Sequence, residues 1–321
     1  MIIENKQITL ILPIFNAEKY LNDCLESIKN QSYINFEVLL INDGSKDKSE
    51  EICKNYSAND YRFKYFSQEN KGVSEARNLG IKNASTKWIC FVDPDDSIDK
   101  DYLKSFIDNI NDDKTLIVSD FNRISSRGKS KNILGYQNEV INLKDSNSKL
   151  VSNVNYLVGN PFNKLFNRSI IDKYDIKFLK GQTLGQDRLF YYEYLNHVDY
   201  LKIIDSSEYN YFYRENSSIT RLHKPEVYLN LVEAENKIFE KSDSVATDLK
   251  IRYTKLFLQY IKSVNKKNSS KQDKIKFLLK YKDSINSKYL VDIDNRTKIL
   301  NILYKFRLYR ILLLTLNIFL K

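Results

Sequence analysis

The sequence predicts an α/β protein in which a mainly parallel sheet with flanking helices is followed by a helical region. Three observations lead to this fold class. Apolar, β-branched runs alternate with helical segments through the first third of the chain, which is typical of βαβ units. Only 8 Gly and 4 Pro punctuate the 321 residues, so long regular elements are expected. Neither residue type occurs from 226 to 321, which favours helices there.

The alternating segments of the first third can be placed in order. Apolar runs predict four strands, at Ile8–Phe15, Phe36–Ile41, Arg62–Ser67 and Trp88–Val92. Helical spacing predicts four helices, at Ala17–Gln31, Lys46–Tyr56, Val73–Asn83 and Tyr102–Ile110. Because ligands bind at the carboxyl ends of parallel strands, the segments that follow these strands are candidates for a functional site.

After Tyr102–Ile110 the pattern weakens and then becomes helical. Extended segments are expected from Leu116, at Ile133–Leu143 as a hairpin or an edge strand, and at Tyr200–Tyr213. Short helices are expected at Arg168–Tyr174 and Arg188–Leu195. Four further helices are predicted at about 226–242, 245–265, 271–285 and 295–320. We therefore expect a first domain of residues 1–222 and a basic helical region of residues 223–321.

The net charge of +10 is unevenly distributed. Residues 250–321 hold 18 Lys and Arg against 4 Asp and Glu, whereas the remainder holds 33 against 37. Such a region suits nucleic acid, an anionic membrane surface or simply a solvated helix surface. No nucleic-acid-binding motif accompanies it, so no nucleic acid is expected as a partner. The spacing of Cys24, Cys53 and Cys90 fits neither a zinc site nor a disulfide framework, which indicates a reducing compartment.

Polar clusters follow each of the four predicted strands. They are Pro13-Ile14-Phe15-Asn16, Asn42-Asp43-Gly44-Ser45, Asn70-Lys71-Gly72 with Ala76-Arg77-Asn78, and Asp93-Pro94-Asp95-Asp96. The last cluster places three carboxylates within four residues, and these repel one another unless a cation lies among them. Hard divalent cations prefer carboxylate oxygens and keep positions for phosphates. The alternative is an acidic helix N-terminus, which explains Asp99 and Asp101 better than Asp93 and Asp95.

In this order, the four clusters resemble the motifs of family 2 glycosyltransferases, which have the GT-A fold. The resemblance spans roughly residues 7–221, and Asn42 is a mild departure from the family's pattern. It implies that Asp43 and Arg77 hold the nucleotide base, that Asp93 approaches the ribose, and that Asp95 with Asp93 ligates Mn²⁺ or Mg²⁺. Further nucleotide-sugar contacts are expected from Pro13, Phe15, Asn16 and Lys71.

The resemblance continues more weakly toward residue 221. Asn163-Lys164-Leu165 resembles a segment that precedes the acceptor site. Gly185-Gln186-Asp187 stands where the family commonly has Glu-Asp, which implies that Asp187 is the general base, although Gln186 departs from the pattern. The alternative for Asp187 is the start of a helix at Arg188. Tyr213–Thr220 resembles a loop that closes over the diphosphate, with Arg214 and Ser218 as donor-binding residues; Arg214 as a surface charge is the alternative.

The resemblance implies a metal-dependent glycosyltransferase of the EC 2.4 class. It would move a sugar with inversion from a nucleotide-diphosphate donor, UDP by family habit, to a carbohydrate acceptor. That acceptor would be a lipid-linked or protein-linked glycan in bacterial surface-polysaccharide or glycoprotein-glycan synthesis. A GT-A domain that has lost turnover and serves as a scaffold is the alternative. Retention of Asp93, Asp95 and Asp187 argues against it, because a scaffold has no need of buried carboxylates.

The C-terminal segment carries an apolar run that is too short to span a membrane. Ile311–Leu320 has ten residues, whereas a span needs about 20. We therefore expect a cytoplasmic protein, at the inner face of the plasma membrane. A helix that is apolar all round must be buried in something. Self-association into a homo-oligomer through the C-terminal helices is the first expectation. Peripheral membrane contact through Lys305, Arg307 and Arg310 is the second.

Overall fold

The computed structural model describes residues 7–126, 128–130, 138–143, 160–181, 185–214, 225–240, 247–266, 269–309, 311–313 and 315. The chain divides into two compact units. The first comprises Met1–Gln182 and Gln186–Glu215, and the second comprises Thr183–Gly185 and Asn216–Lys321. The domain boundary predicted at residue 222 lies outside the described residues.

A mixed β-sheet forms the centre of the first unit. Its described strands are β1 (Ile8–Ile14), β2 (Phe36–Asn42), β3 (Phe63–Ser67), β4 (Trp88–Phe91), β5 (Ser97–Ile98), β6 (Thr115–Ser125), β7 (Gly128–Ser130), β8 (Glu139–Asn142), β9 (Lys164–Asn167) and β10 (Tyr200–Phe212). Their order is β3-β2-β1-β4-β9-β6-β10-β5, with β7 beside β6 and β8 beside β10. Strands β1 to β4 are mutually parallel, as predicted. Strand β9 runs antiparallel to both of its neighbours.

Helices cover both faces of this sheet. They are α1 (Leu21–Lys29), α2 (Ser49–Asn59), α3 (Val73–Asn83), α4 (Tyr102–Asp108), α5 (Arg168–Lys173) and α6 (Gln186–Leu195). Along β1, Leu10 and Leu12 belong to one hydrophobic cluster and Ile11 to the other, so both faces of the strand are buried. A Cβ on Gly80 would lie 2.3 Å from the side chain of Ile11, so this glycine lets α3 pack closely on β1. The extended segment predicted at 133–143 is described as β8 only, and residues 133–137 lie outside the described part.

Among the described residues of the second unit there are four α-helices with defined bounds and two 3₁₀ turns, and helical residues occur again at 309, 311–313 and 315. The helices are α7 (Pro225–Glu240), α8 (Thr247–Lys266), α9 (Lys271–Lys280) and α10 (Asn295–Lys305). The helix predicted at 271–285 ends at Lys280, and a 3₁₀ turn follows at Lys282–Ser284. The single helix predicted at 295–320 is also wrong. The observed helix α10 begins at a capping box formed by Asp294 and Thr297. It ends at Lys305, since Arg307 adopts a left-handed φ of 58°.

No helix in the described part of the chain is both long enough and apolar enough to cross a membrane.

Candidate active site

The loops that follow β1 and β2 are hydrogen-bonded to each other at the carboxyl edge of the sheet. Asn16, in the left-handed region with φ 50°, accepts a hydrogen bond from the Lys46 N–H at 2.8 Å. The Asn16 N–H donates to Ser45 Oγ at 3.0 Å. The Asp43 N–H donates to the Ile14 carbonyl at 2.8 Å. The first two polar clusters therefore form one connected surface, as the predicted convergence of strand ends requires.

Asp43 connects this surface to the third cluster. Its carboxylate, 3% exposed, accepts hydrogen bonds from the Lys71 N–H at 2.8 Å, the Gly72 N–H at 2.9 Å and Gln68 Nε2 at 2.7 Å. A Cβ on Gly44, which has φ 72°, would lie 2.8 Å from the Asn70 backbone nitrogen. Only glycine suits both that backbone conformation and that close approach. Asp43 thus shapes the loop that precedes α3.

The acidic segment after β4 turns around a buried carboxylate, Asp96. Asp96 is 3% exposed and accepts hydrogen bonds from the Tyr209 hydroxyl at 2.8 Å and the Phe212 N–H at 2.9 Å. Burial, and then the charges of Asp93 and Asp95, raise the pKa of Asp96 well above its usual value. Asp96 is part of the acidic sequence motif, but the motif predicts no role for it. Strand β10 holds this carboxyl group in place, which leaves Asp93 and Asp95 as the two more accessible members.

Asp95 is paired with Arg214, which comes from the end of β10. Arg214 Nη1 donates to Asp95 Oδ2 at 2.7 Å, and Nη2 donates to the Asp95 carbonyl at 2.7 Å. The Asp95 side chain remains 44% exposed, and the guanidinium lies 3.9 Å from the centre of the Tyr20 ring. Burial, and then the charge of Asp93, raise the pKa of Asp95. Arg214 is therefore not a surface charge without a partner but a member of the acidic site.

Arg77 on α3 lies between two carboxylates from distant parts of the chain. Its Nη1 donates to Asp187 Oδ1 at 2.5 Å, and its Nη2 donates to Asp93 Oδ1 at 3.2 Å. Arg77 is 4% exposed, and its guanidinium lies 5.3 Å from the centre of the Phe178 ring. The assignment of Arg77 to the nucleotide base stays a prediction. Its position in the structure links Asp187, the candidate general base, to the acidic segment.

Asp187 lies in the first turn of α6, and its side chain is 20% exposed. Burial raises the pKa of its carboxyl group, and the charge of Arg77 opposes that rise. The helix dipole also favours an Asp in a first helical turn. The position of Asp187 therefore fits both the helix-start alternative and the role of general base. The ion pair with Arg77 is what distinguishes Asp187 from an ordinary N-terminal residue.

Lys164 is a buried cation that sequence reasoning did not assign to the site. It is 0% exposed, and its Nζ donates to the Asn160 carbonyl at 2.7 Å and to Asn163 Oδ1 at 2.8 Å. Burial lowers the pKa of Lys164 to about 7, and the charge of Asp187 opposes this effect. The available signal was its place in the Asn163-Lys164-Leu165 motif, because a lysine close to Phe162, Leu165 and Phe166 in a buried segment needs a partner.

The remaining predicted site residues lie at the same edge of the sheet or outside the described residues. Pro13 is buried in β1 opposite Ile41, whereas Phe15 is 47% exposed beyond the strand end. Lys71 is exposed in the loop that Asp43 holds. Ser218 lies outside the described residues. The structure therefore brings together Arg77, Asp93, Asp95, Asp187 and Arg214, all within the first unit.

Comparison with known proteins identifies the class. The model for "Glycosyl transferase family 2" matches residues 9–175, which is more than half of the chain, so the chain belongs to this family. Glycosyltransferase GlyA of Streptococcus pneumoniae is 47% identical over 110 residues, which are 34% of this chain and 16% of GlyA. The chain thus matches only a small part of that relative.

Two solved structures are similar over nearly the whole chain. S. aureus TarS 1-349, in complex with UDP-GlcNAc, has a TM-score of 0.73 at 19% identity, over 96% of this chain and 90% of that one. The mannosyltransferase PcManGT from Pyrobaculum calidifontis, in complex with GDP-Man and Mn²⁺, has a TM-score of 0.54 at 10% identity, over 98% and 87%. The first likeness confirms the predicted GT-A fold with a C-terminal helical region.

Proposed function

We propose that this glycosyltransferase moves a sugar with inversion from a UDP-sugar to a carbohydrate acceptor. The observation that carries the proposal is the connected series Asp187–Arg77–Asp93. The buried guanidinium of Arg77 contacts Asp187, which is suited to act as a general base. It also contacts Asp93 in the acidic segment, which is suited to the divalent cation that accompanies a diphosphate. The UDP-GlcNAc complex of TarS supports UDP as the carrier. The acceptor we propose is a lipid-linked or protein-linked glycan of the bacterial surface.

The acidic segment fits a divalent cation. Asp93 and Asp95 are 26% and 44% exposed at the side chain, and burial, followed by the charge of Asp93, raises the pKa of Asp95. Among the described residues, no group of three or more His, Cys, Asp or Glu side chains could hold a metal ion by itself. The cation that we propose would therefore need further ligands from the diphosphate. Mn²⁺ or Mg²⁺ held by Asp95 and Asp93 would stabilise the charge that develops on the leaving group. The Mn²⁺ complex of PcManGT is consistent with this.

Asp187 is the proposed general base of a single-displacement reaction. The acceptor hydroxyl oxygen forms a bond to the anomeric carbon while the bond from that carbon to the diphosphate oxygen breaks. UDP leaves with the electron pair, and the hydroxyl proton moves to Asp187. Because Arg77 occupies Oδ1, the proton is accepted at Oδ2. General-base assistance of this kind contributes about 10²–10⁴-fold.

Arg214 is the proposed cationic contact to the diphosphate. In the structure it neutralises Asp95, the proposed ligand of the divalent cation. A divalent cation held by Asp95 would compete with Arg214 for that carboxylate, and the Arg214 guanidinium would then be available to contact the diphosphate. Asp43, Pro13, Phe15, Asn16 and Lys71 remain proposed contacts to the nucleotide, together with Ser218.

A panel of UDP-sugars and GDP-sugars tests the proposal. Each donor is incubated with Mn²⁺, with and without glycan acceptors, and release of the nucleoside diphosphate is measured. We expect one UDP-sugar to turn over, and NMR of the product should show an inverted anomeric configuration. Retained configuration would contradict the inverting mechanism. Tight UDP binding with no turnover of any donor would favour the inactive scaffold.

A further inference from the structure

Helix α10 exposes a second apolar face to solvent. Ile299, Ile302 and Phe306 are 42%, 45% and 66% exposed. Their separations of three and four residues place them on one side of the helix, and we call them the α10 stripe. On the opposite side Leu300, Leu303 and Tyr304 are buried. The helix therefore packs one apolar face into the core of the second unit and leaves another apolar face exposed.

Two further exposed apolar side chains follow the helix in the sequence. After the turn at Phe306 and Arg307, Leu308 is 43% exposed and Ile311 is 49% exposed. Single exposed apolar side chains are ordinary, but a series of five within 13 residues indicates a surface that meets a partner.

Basic residues flank the α10 stripe, and acidic residues are absent from this part of the sequence. Residues 295–321 contain six Lys and Arg and no Asp or Glu. At about 100° per residue, Lys298 and Lys305 lie along one side of the stripe and Arg296 lies along the other. All three are exposed, and neither Lys298 nor Lys305 forms an ion pair with a described residue. An apolar stripe between cationic borders is the pattern of a helix that lies in a membrane interface.

A cavity of about 320 Å³ lies beside the end of α10. Three cations and two carboxylates line it, namely Lys282, Lys305, Arg307, Asp283 and Glu240. Lys305 and Arg307 therefore line the cavity, while Phe306 between them is exposed as part of the stripe. The cavity is at the small end of the range for ligand sites, which suits a phosphate-bearing headgroup rather than a larger molecule.

We propose that this face of the C-terminal region docks on an anionic phospholipid surface. The α10 stripe enters the boundary between headgroups and acyl chains, and the flanking cations contact lipid phosphates. A second copy of the chain suits this face less well. A two-fold dimer places the same patch against itself, so Arg296, Lys298, Lys305 and Arg307 of the two copies would meet, and 295–321 contains no Asp or Glu to offset them. The proposal does not depend on the catalytic assignment.

Vesicle sedimentation of the full chain tests the proposal. Phosphatidylcholine vesicles are used with and without phosphatidylglycerol. We expect binding only when phosphatidylglycerol is present, and weaker binding at high salt because the charges are screened. The double variant Ile302→Glu/Phe306→Glu should bind more than about tenfold more weakly. Reversing the charges in Lys298→Glu/Lys305→Glu should have an effect of similar size.

Matched controls separate this surface from general changes in charge or apolarity. Ile34→Glu alters an isoleucine that is 72% exposed in the first unit, and Lys82→Glu/Lys276→Glu makes the same charge change elsewhere. Both controls should bind like the wild type, and circular dichroism should show that every variant is folded. Unchanged binding by the stripe variant, or no binding by the wild type, overturns the proposal. So does a lipid-free wild-type dimer, measured by light scattering, that the stripe variant converts to monomers.

Discussion

Replacing Arg77 by Met should destabilise the first unit because it leaves two carboxylates without their shared partner. Removing one member of a buried ion pair costs about 3–5 kcal/mol. Asp93 and Asp187 keep 26% and 20% of their side-chain surface exposed, so we expect the lower end, about 3 kcal/mol. A protein unit of this size loses about 2–4 °C of melting temperature per kcal/mol. The melting temperature should therefore fall by about 6–12 °C.

The same substitution should also change the titration of Asp187. The charge of Arg77 is the main influence that opposes the raised pKa of this carboxyl group. Without it, the pKa of Asp187 rises further, and the acid limb of the kcat profile against pH moves to higher pH. Arg77→Lys keeps one charge but cannot bridge both carboxylates, so it should fall between Met and the wild type.

Thermal unfolding, calorimetric binding of UDP and the pH profile together decide the role of Arg77. Arg62→Met is the control, because Arg62 forms a partly buried ion pair with Asp60 outside the site, with 2.6 Å between Nη2 and Oδ2. It should lower the melting temperature without moving the pH profile. A variant Arg77→Met that melts like the wild type and loses only UDP affinity would contradict a bridging role for Arg77. That result would assign Arg77 to the nucleotide base.

Three further predictions follow from the site. Asp187→Asn should lower kcat about 10²–10⁴-fold with little change in the calorimetric affinity for the UDP-sugar, and a collapse of that affinity would contradict its role as base. Excess EDTA, or Asp95→Ala, should abolish sugar transfer while circular dichroism shows an intact fold, and undiminished transfer in EDTA would contradict the cation assignment. The folded-state pKa of Lys164, about 7, lies below its usual value. Below pH 7 the buried amine is charged in the folded protein, and this lowers the free energy of unfolding. In urea unfolding, the stability of the wild type relative to Lys164→Met should therefore rise from about pH 7 toward about pH 10, by at most about 1.4 kcal/mol per pH unit. A difference that does not change with pH would contradict the lowered pKa.

The strands and helices that build the site edge could be predicted because burial makes their patterns clear. Helix α3 has the predicted bounds, Val73–Asn83, and β1, buried on both faces, appears as one apolar run. The end of α10 could not be predicted, since the apolar pattern continues past Lys305 and only the turn at Arg307 interrupts it. The periodicity of apolar residues gives no indication of the left-handed backbone conformation at Arg307.

The roles of Asp96 and Lys164 could not be predicted for a different physical reason. A buried charged residue is tolerated only when hydrogen-bond partners in the fold satisfy it. Asp96 depends on Tyr209 and Phe212, which are more than a hundred residues away in the sequence. Lys164 depends on the carbonyl oxygens of the turn before it. Sequence order locates these charged residues but does not identify their partners.

The charges of the site explain why a donor and a cation should bind together. Around the acidic segment lie four carboxyl groups and three basic groups, namely Asp93, Asp95, Asp96, Asp187, Arg77, Arg214 and Lys164. If all seven groups are ionised, one negative charge is in excess, and the raised pKa values of Asp95, Asp96 and Asp187 show that further negative charge is unfavourable there. A diphosphate diester alone would add two more negative charges to this cluster, which repulsion opposes. A divalent cation carries the two positive charges that offset them, so the site keeps its net charge when both bind.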